Sequence, residues 1–368
     1  MENKVPFVNY PLQYKNQEKE IDQTIKRVLT NGDLILRGDV EEFEKNIAEF
    51  LGVKYTVGVN SCTDALIFSL MASSVDKGDE VITVSHTFFA TIEAIIHCGA
   101  KPILVEVGED FVMDVLKIEQ AITEKTKAII PVHLNGHMVD MEKLTDIAKK
   151  HNLIIIEDAA QALGATLNGK KAGSFGLTSC FSFYPAKLLG AYGDAGILAT
   201  DDANIAKKAK LLRNHGQKTK TEIVMCGFTS RLDNLQAAIL NVKFECLNKW
   251  IERRREIAKI YNEGYKDIKK IKIPKIDSEN RFYDVFQNYV IMAEKRDELF
   301  NYLKESGVEC LIKDSVPNHL QKIEGLSDFN LPFTEKLSKE VISLPMYPEL
   351  TDEQINYVIE KVKEFYKS

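Results

Sequence analysis

Between residues 53 and 200 the chain alternates seven short β-rich runs with helical patterns, and this alternation limits the possible folds more than any other feature. Strands that alternate with helical stretches pair as parallel neighbours, so the pattern describes a mostly parallel sheet covered by helices. The runs are KYTVGV, VITV, PILVEV, AIIPVH, LIIIED, CFSFY and GILAT. Between them, windows such as 63–73 and 141–151 repeat apolar residues at three- and four-residue spacing. Ahead of the sheet, Ile21, Ile25, Val28 and Leu29 mark a helix stopped near Gly32, and Phe43, Ile47 and Phe50 mark another ending at Gly52. Past Arg231 the pattern changes to a long helix through about Trp250, then to an α+β tail with strands near Asn288 and Val308. Thr351 and Gln354 form a capping box ahead of a last helix carrying Ile355, Val358, Ile359 and Val362. At 368 residues the chain exceeds one compact core, so we expect a large domain over 1–240, including the N-terminal helical segment, and a smaller α+β domain over 241–368.

Composition removes several classes of function. A net charge of -6, with acids and bases interspersed, lacks the basic footprint of a nucleic-acid binder. The one basic run, 253–255, is flanked by Glu252 and Glu256 and reads as a solvated helix face. No stretch approaches the roughly 18 consecutive apolar residues that a membrane span requires. The first twenty residues show neither an apolar h-region nor an Arg-rich amphipathic stretch, which sets the expectation of a cytoplasmic chain. Six cysteines lie far apart, without the paired spacing of a disulfide framework or zinc site, and read mostly as small buried hydrophobes. His133 and His137 stand four apart, yet Asn135 and Gly136 between them suggest a strand end turning into a loop, so no metal is expected. No GxGxxG follows any strand, which leaves a nicotinamide-binding reading little support.

Ligands of open α/β sheets bind beyond the carboxyl ends of the strands, and there three groups of residues stand out. The run LIIIE delivers Asp158 to the rim, where a carboxylate serves equally as a ligand group or as a helix N-cap. Lys187 lies in FSFYPAKLLGAYGDAG, after a strand end, beyond Pro185, and among three glycines that let the backbone approach a bound group. Its apolar and aromatic frame, with Ser182 and Tyr184, favours the neutral amine, which forms a Schiff base with an aldehyde. The third group is SCTDAL, 61–66, which follows a strand and opens a helix, so that its amides and the Thr63 hydroxyl meet an anion at a positive helix end. A lysine for an aldehyde, a carboxylate for a ring nitrogen and donors for a phosphate are what a pyridoxal cofactor requires.

These residues resemble the sugar aminotransferases of the DegT/DnrJ/EryC1/StrS group, which have the type I fold of pyridoxal-phosphate-dependent transferases. The resemblance runs from FEKNIAEFLGVKYTVGVNSCTDAL through HTFFATIEAI, KTKAIIPVHLNG, EDAAQALGA, SFYPAKLLGAYGDAG, LRNHG and SRLDNLQAAIL to SLPMYPELTDEQI. It implies an α/β large domain with a mostly parallel seven-stranded sheet flanked by helices, and pyridoxal 5'-phosphate as cofactor. It further implies that Lys187 binds the cofactor and shuttles protons, and that Asp158 keeps the ring nitrogen protonated. Gln161 would bond the ring hydroxyl, Phe88 would stack on the ring, and Ser182, Thr63 and the Cys62 amide would hold the phosphate. Glutamate and a nucleotide-linked keto sugar are the implied substrates, and a homodimer with an active site shared across subunits is the implied assembly.

Three positions depart from the family pattern. Cys62 replaces the usual glycine before Thr63, leaving its amide available. Thr229 stands where the family has an asparagine that reaches the neighbouring subunit's cofactor phosphate. Lys313, Asp314 and Ser315 replace a His-Tyr-Pro segment, while Pro317 and His319 remain, which points to a changed sugar pocket. Lys313, His319 and Arg231 are the expected substrate contacts. A sugar dehydratase of the same fold and a non-catalytic regulator are the rival expectations; the first carries histidine where this chain has Lys187.

Overall fold

The computed structural model describes residues 4–367 except 278, 280, 324 and 327. Along the chain run β1 (Tyr55–Val59), β2 (Glu80–Val84), β3 (Lys101–Val105), β4 (Thr126–Ile129) and β5 (Ile154–Asp158). A hairpin of β6 (Thr166–Leu167) and β7 (Lys170–Lys171) follows, then β8 (Thr178–Ser182) and β9 (Gly196–Thr200). Seven of these strands form the main sheet in the order β1-β9-β8-β5-β4-β2-β3, and each corresponds to a run read from the sequence. Pairing is parallel from β3 across to β8, whereas β9 is antiparallel to both neighbours.

Helices cover both faces, which is why the strands are apolar almost throughout rather than alternating. Successive residues therefore feed two different cores. Ile155, Ile197 and Ala199 pack with Phe43, Ile47 and Leu240 on one face, while Ile156 and Leu198 pack with Leu66, Phe68 and Ala209 on the other. Helices Glu18–Asn31 and Gly38–Leu51 stop at Gly32 and Gly52 as their patterns predict.

A further core gathers Ile257, Tyr261, Tyr289, Ile291, Leu299, Ile342 and Val358. Its sheet joins β10 (Ile271–Lys272), β12 (Tyr289–Ala293) and β13 (Val341–Leu344), while β11 (Phe282–Tyr283) instead extends the β6–β7 hairpin. Val5 also lies in this core, so it is not built from 241–368 alone. The capping box is present in both directions: the Gln354 amide donates to Thr351 Oγ1 and the Thr351 amide to Gln354 Oε1, each at 3.2 Å. Among the described residues no helix is long and apolar enough to cross a membrane.

Several expectations are corrected. The long helix past Arg231 is two helices, Asn234–Phe244 and Leu247–Tyr265; the first packs on the main body, and the second packs there through Leu247, Trp250 and Ile251 before Ile257, Ala258 and Tyr261 enter the further core. Val308 makes a single parallel bridge to Val5 rather than a strand. The run 253–255 is not a solvated face. Arg253 bonds Asp352 at 2.6 Å, Arg254 is buried on three backbone carbonyls, and Arg255 lies over the Tyr283 ring at 3.7 Å. Of the cysteines only Cys62, Cys180 and Cys310 are fully buried.

Candidate active site

Asp158 ends β5 at the rim of the main sheet and is 6% exposed. Turns rather than a helix follow it, so it caps no helix. Its Oδ2 accepts from the Thr91 hydroxyl at 2.7 Å and its Oδ1 from the Ala160 amide at 3.2 Å. Burial raises its pKa, and those two bonds, with the charge of Lys187, only partly offset the shift. A carboxylate in this setting is short of positive charge, and a protonated ring nitrogen is a partner that would supply it.

Lys187 follows β8 in a turn that its own amide closes on the Tyr184 carbonyl at 2.8 Å, with Pro185 at the second position. The chain then folds back, and the Ala191 amide reaches the Phe183 carbonyl at 2.8 Å. Gly190 makes this possible: a Cβ there would lie 2.3 Å from the Pro185 oxygen. Lys187 as a residue is half-buried. Burial lowers its pKa, against the opposing influence of Cys62, Asp158 and Asp314. The shift favours the neutral amine that attacks an aldehyde.

Helix Cys62–Ala72 begins at Ser61, whose hydroxyl accepts the Asp64 amide at 3.1 Å. The amides of Cys62 and Thr63, first in the helix, have no acceptor within it and face outward at its positive end. Gly196 brings β9 hard against this terminus, since a Cβ would fall 2.3 Å from the Ser61 carbonyl carbon and 2.6 Å from the Cys62 nitrogen. Gly196 pairs in turn with Ser182, which brings Ser182 to the strand next to the same corner. That hydroxyl accepts the Tyr184 amide at 3.3 Å. Amides at a helix start, with hydroxyls close by, suit a phosphate. Gly190 and Gly196 thus admit neighbouring backbone, where the sequence suggested they admit a ligand. Phe88, on the loop after β2, is 70% exposed and therefore not core.

Gln161 lies in a turn, not on a helix surface. Its Oε1 accepts the Asn135 amide at 2.9 Å and Asn288 Nδ2 at 3.0 Å, which leaves its two N–H donors for a ligand. Lys313 donates to Asn288 Oδ1 at 2.8 Å and sits 5.3 Å from the centre of the Phe7 ring. Burial, with the charges of Lys187 and Arg254, brings its pKa down to about 8 despite Asp314, so it is no freely solvated loop lysine.

His319 must be corrected as a substrate contact. It has no exposed surface, and its Nδ1 meets Ser85 Oγ at 2.7 Å while its Nε2 lies 3.3 Å from Glu335. It pins the 313–320 loop to the end of β2. Thr229 is exposed and bonds His215 at 2.9 Å, and Arg231 bonds Asn214 at 3.0 Å, so their partners lie in their own segment and not in the Lys187 group. His133 uses both ring nitrogens, on Glu157 at 3.0 Å and the Val139 amide at 3.2 Å, while His137 lies 2.8 Å from Asp284. Sequence reading missed Thr91, Gln287 and Asn288. Thr91 was present in HTFFATIEAI, four residues after Thr87, but only its bond to Asp158 reveals a task.

Comparison with known proteins agrees with this geometry. Residues 15–363 match the DegT/DnrJ/EryC1/StrS aminotransferase family. A Geobacillus stearothermophilus protein named as a pleiotropic regulatory protein is 44% identical, with 99% of each chain covered. The dTDP-3-amino-3,6-dideoxy-alpha-D-galactopyranose transaminase of Aneurinibacillus thermoaerophilus is 42% identical over 98% of this chain and 99% of its own. The crystal structure of S. venezuelae DesV in complex with a ketimine intermediate superposes with a TM-score of 0.96 at 37% identity, covering 100% of both chains. The chain therefore belongs to the DegT/DnrJ/EryC1/StrS family, and it is a pyridoxal-phosphate-dependent sugar aminotransferase of the type I fold.

Proposed function

We propose that this aminotransferase takes its amino group from glutamate and gives it to a nucleotide-linked keto sugar, a 6-deoxyhexose, in the cytoplasm, for amino sugars of surface glycans. One observation carries the reading: a lysine with lowered pKa, a buried carboxylate short of positive charge and two open helix-terminal amides share one rim of the sheet. Bound pyridoxal phosphate supplies an aldehyde, an electron-withdrawing ring and a phosphate anchor. Lys187 would hold the aldehyde, and its free amine would carry protons at Nζ: neutral, it would take one from the donor carbon; charged, it would give one to the sugar carbon. Asp158, steadied by Thr91, holds the proton on the ring nitrogen. The amides of Cys62 and Thr63, with the Thr63 and Ser182 hydroxyls, hold the phosphate, Gln161 donates to the ring hydroxyl, and Phe88 covers the ring.

Lys313 would receive an anionic group of the sugar nucleotide, its diphosphate above all, with Arg231 as a further contact. Between carbons 3 and 4 of the sugar we favour carbon 3, where the Aneurinibacillus relative's name puts the amine. A homodimer in which 229–231 reaches the partner's site is supported by the exposure of Ile223, Val224 and Phe228 on the same segment. A regulatory role is favoured by names alone, those of the Geobacillus relative and of a Saccharopolyspora erythraea relative named as a sensory transduction protein. An absorbance scan separates the two, because a regulator without cofactor shows no band near the visible edge. The deciding experiment incubates the enzyme with glutamate and a panel of keto sugar nucleotides and identifies the product by mass and NMR. No amination of any 3-keto or 4-keto substrate would overturn the proposal.

A further inference from the structure

We infer that Gln287 is a positioning residue for Lys187, clamping the backbone on both sides of it. The inference rests on the reading of Lys187 as the cofactor-bearing lysine. Gln287 Nε2 donates to the Ala186 carbonyl at 2.8 Å, and its Oε1 accepts the Leu188 amide at 2.7 Å. One planar carboxamide thus spans the residues before and after Lys187 and fixes the peptide groups that flank its Cα. At 7% exposure it does so out of reach of competing water.

Gln287 is itself held. Its backbone carbonyl accepts from Arg254 at 3.2 Å, as do those of Phe286 at 3.2 Å and Met346 at 2.9 Å. Phe286 has φ 48, a left-handed conformation that an aromatic residue keeps only where the surroundings enforce it. Asn288, next in the chain, bonds Gln161 and Lys313. Three consecutive residues therefore connect Arg254 of the further core to the lysine turn, the Gln161 turn and the sugar-side loop.

Other bonds hold the same loop farther on. Lys243 reaches the Gly190 carbonyl, and Gln236 Oε1 accepts the Tyr192 amide at 2.9 Å. Among the described residues, only the Gln287 side chain grips both immediate neighbours of Lys187. The proposed chemistry gives a reason: the amine must leave the aldehyde, serve two carbons and return. With its backbone fixed, that travel is confined to the side-chain torsions. Misplacement of a reacting group by about 1 Å commonly costs on the order of 10²-fold in rate.

Gln287→Met removes both bonds at similar volume. In the cofactor-free protein the Leu188 amide should exchange with deuterium at least ~10-fold faster, while amides of β12 keep their protection. In the holoenzyme the pH midpoint of the cofactor absorbance should move, and kcat should fall ~10- to 100-fold with KM within about threefold. Wild-type exchange at Leu188, an unmoved midpoint and unchanged kcat in a folded variant overturn the inference. If the methionine variant does not fold, Gln287→Glu keeps the acceptor, loses the donor to Ala186, and is judged on midpoint and kcat by the same standard. Borohydride reduction and peptide mapping of the wild type separate the two claims. Cofactor on another lysine sinks the reading of Lys187 and the clamp with it, whereas cofactor on Lys187 with an indifferent methionine variant sinks the clamp alone.

Discussion

Two lysines on this rim have lowered pKa values, and their surroundings give them different tasks. Among the described residues none hydrogen-bonds the Lys187 amine, whereas the Lys313 amine is tied to Asn288. Lys187→Ala should abolish turnover and leave no borohydride-reduced cofactor on the protein; residual turnover would reassign the lysine. Asp158→Asn should lower activity ~10²-fold or more with the fold intact, since it removes the charge facing the ring nitrogen. Near-normal kinetics with bound cofactor would deny Asp158 that role. Lys313 adds a pH test. Its pKa of about 8 means that the free enzyme presents an ammonium below that pH and a neutral amine above it. The wild-type kcat/KM for the sugar nucleotide should therefore fall as pH rises through about 8, and Lys313→Ala should lower kcat/KM and remove that limb. The glutamate half-reaction should stay within twofold of wild type in that variant. An unchanged sugar KM in Lys313→Ala would deny the contact. Lys187 and Asp158 were legible in the sequence because each follows a strand end within a local pattern. Thr91 and Asn288 were not, since their partners lie 67 and 127 residues away and nothing local marks them. His319 was misjudged for the same reason: its burial depends on Ser85, 234 residues distant.

At the level of elements, local signals proved readable where one segment carries the whole cause. The capping box needs only Thr351 and Gln354, and the seven strands need only their own apolar runs between turns. Strand β13 is decided by its pairing with β12, and no local pattern records that. The contact between β9 and the start of helix Cys62–Ala72 belongs to this second kind. Gly196→Ala would set a methyl 2.3 Å from the Ser61 carbonyl carbon, a backbone atom that cannot swing aside as a side chain can. The helix start must then shift, and the open amides of Cys62 and Thr63 shift with it. We expect cofactor affinity to drop at least ~10-fold, about 1.4 kcal/mol, while circular dichroism keeps its wild-type shape. Wild-type affinity in dialysis against free cofactor would show that this corner does not hold the phosphate.

For the whole molecule, the arrangement of exposed apolar groups bears on assembly. Ile223, Val224 and Phe228 are 67%, 49% and 42% exposed on the segment that carries Thr229 and Arg231, and Leu34 and Ile35 are exposed as well. Among the described residues of one chain the Thr229 and Arg231 side chains bond His215 and Asn214 alone, so a role at a reaction centre calls for a second copy. A homodimer at twice the 41.6 kDa chain mass is the expected species in sedimentation. Sharing of sites makes a sharper prediction. A Lys187→Ala subunit lacks the amine, and a subunit carrying Thr229→Ala with Arg231→Ala lacks what it lends its partner; each variant alone should be inactive or nearly so. In a mixed dimer, one site receives its lysine from the second variant and its 229–231 segment from the first, and is intact, while the other lacks both. Random exchange makes half the dimers mixed, so unfolding and refolding an equimolar mixture should restore about a quarter of wild-type activity. If each site drew Thr229 and Arg231 from its own chain, no pairing of these variants would contain an intact site, and a mixture as inactive as its components would show that the segment does not cross between subunits.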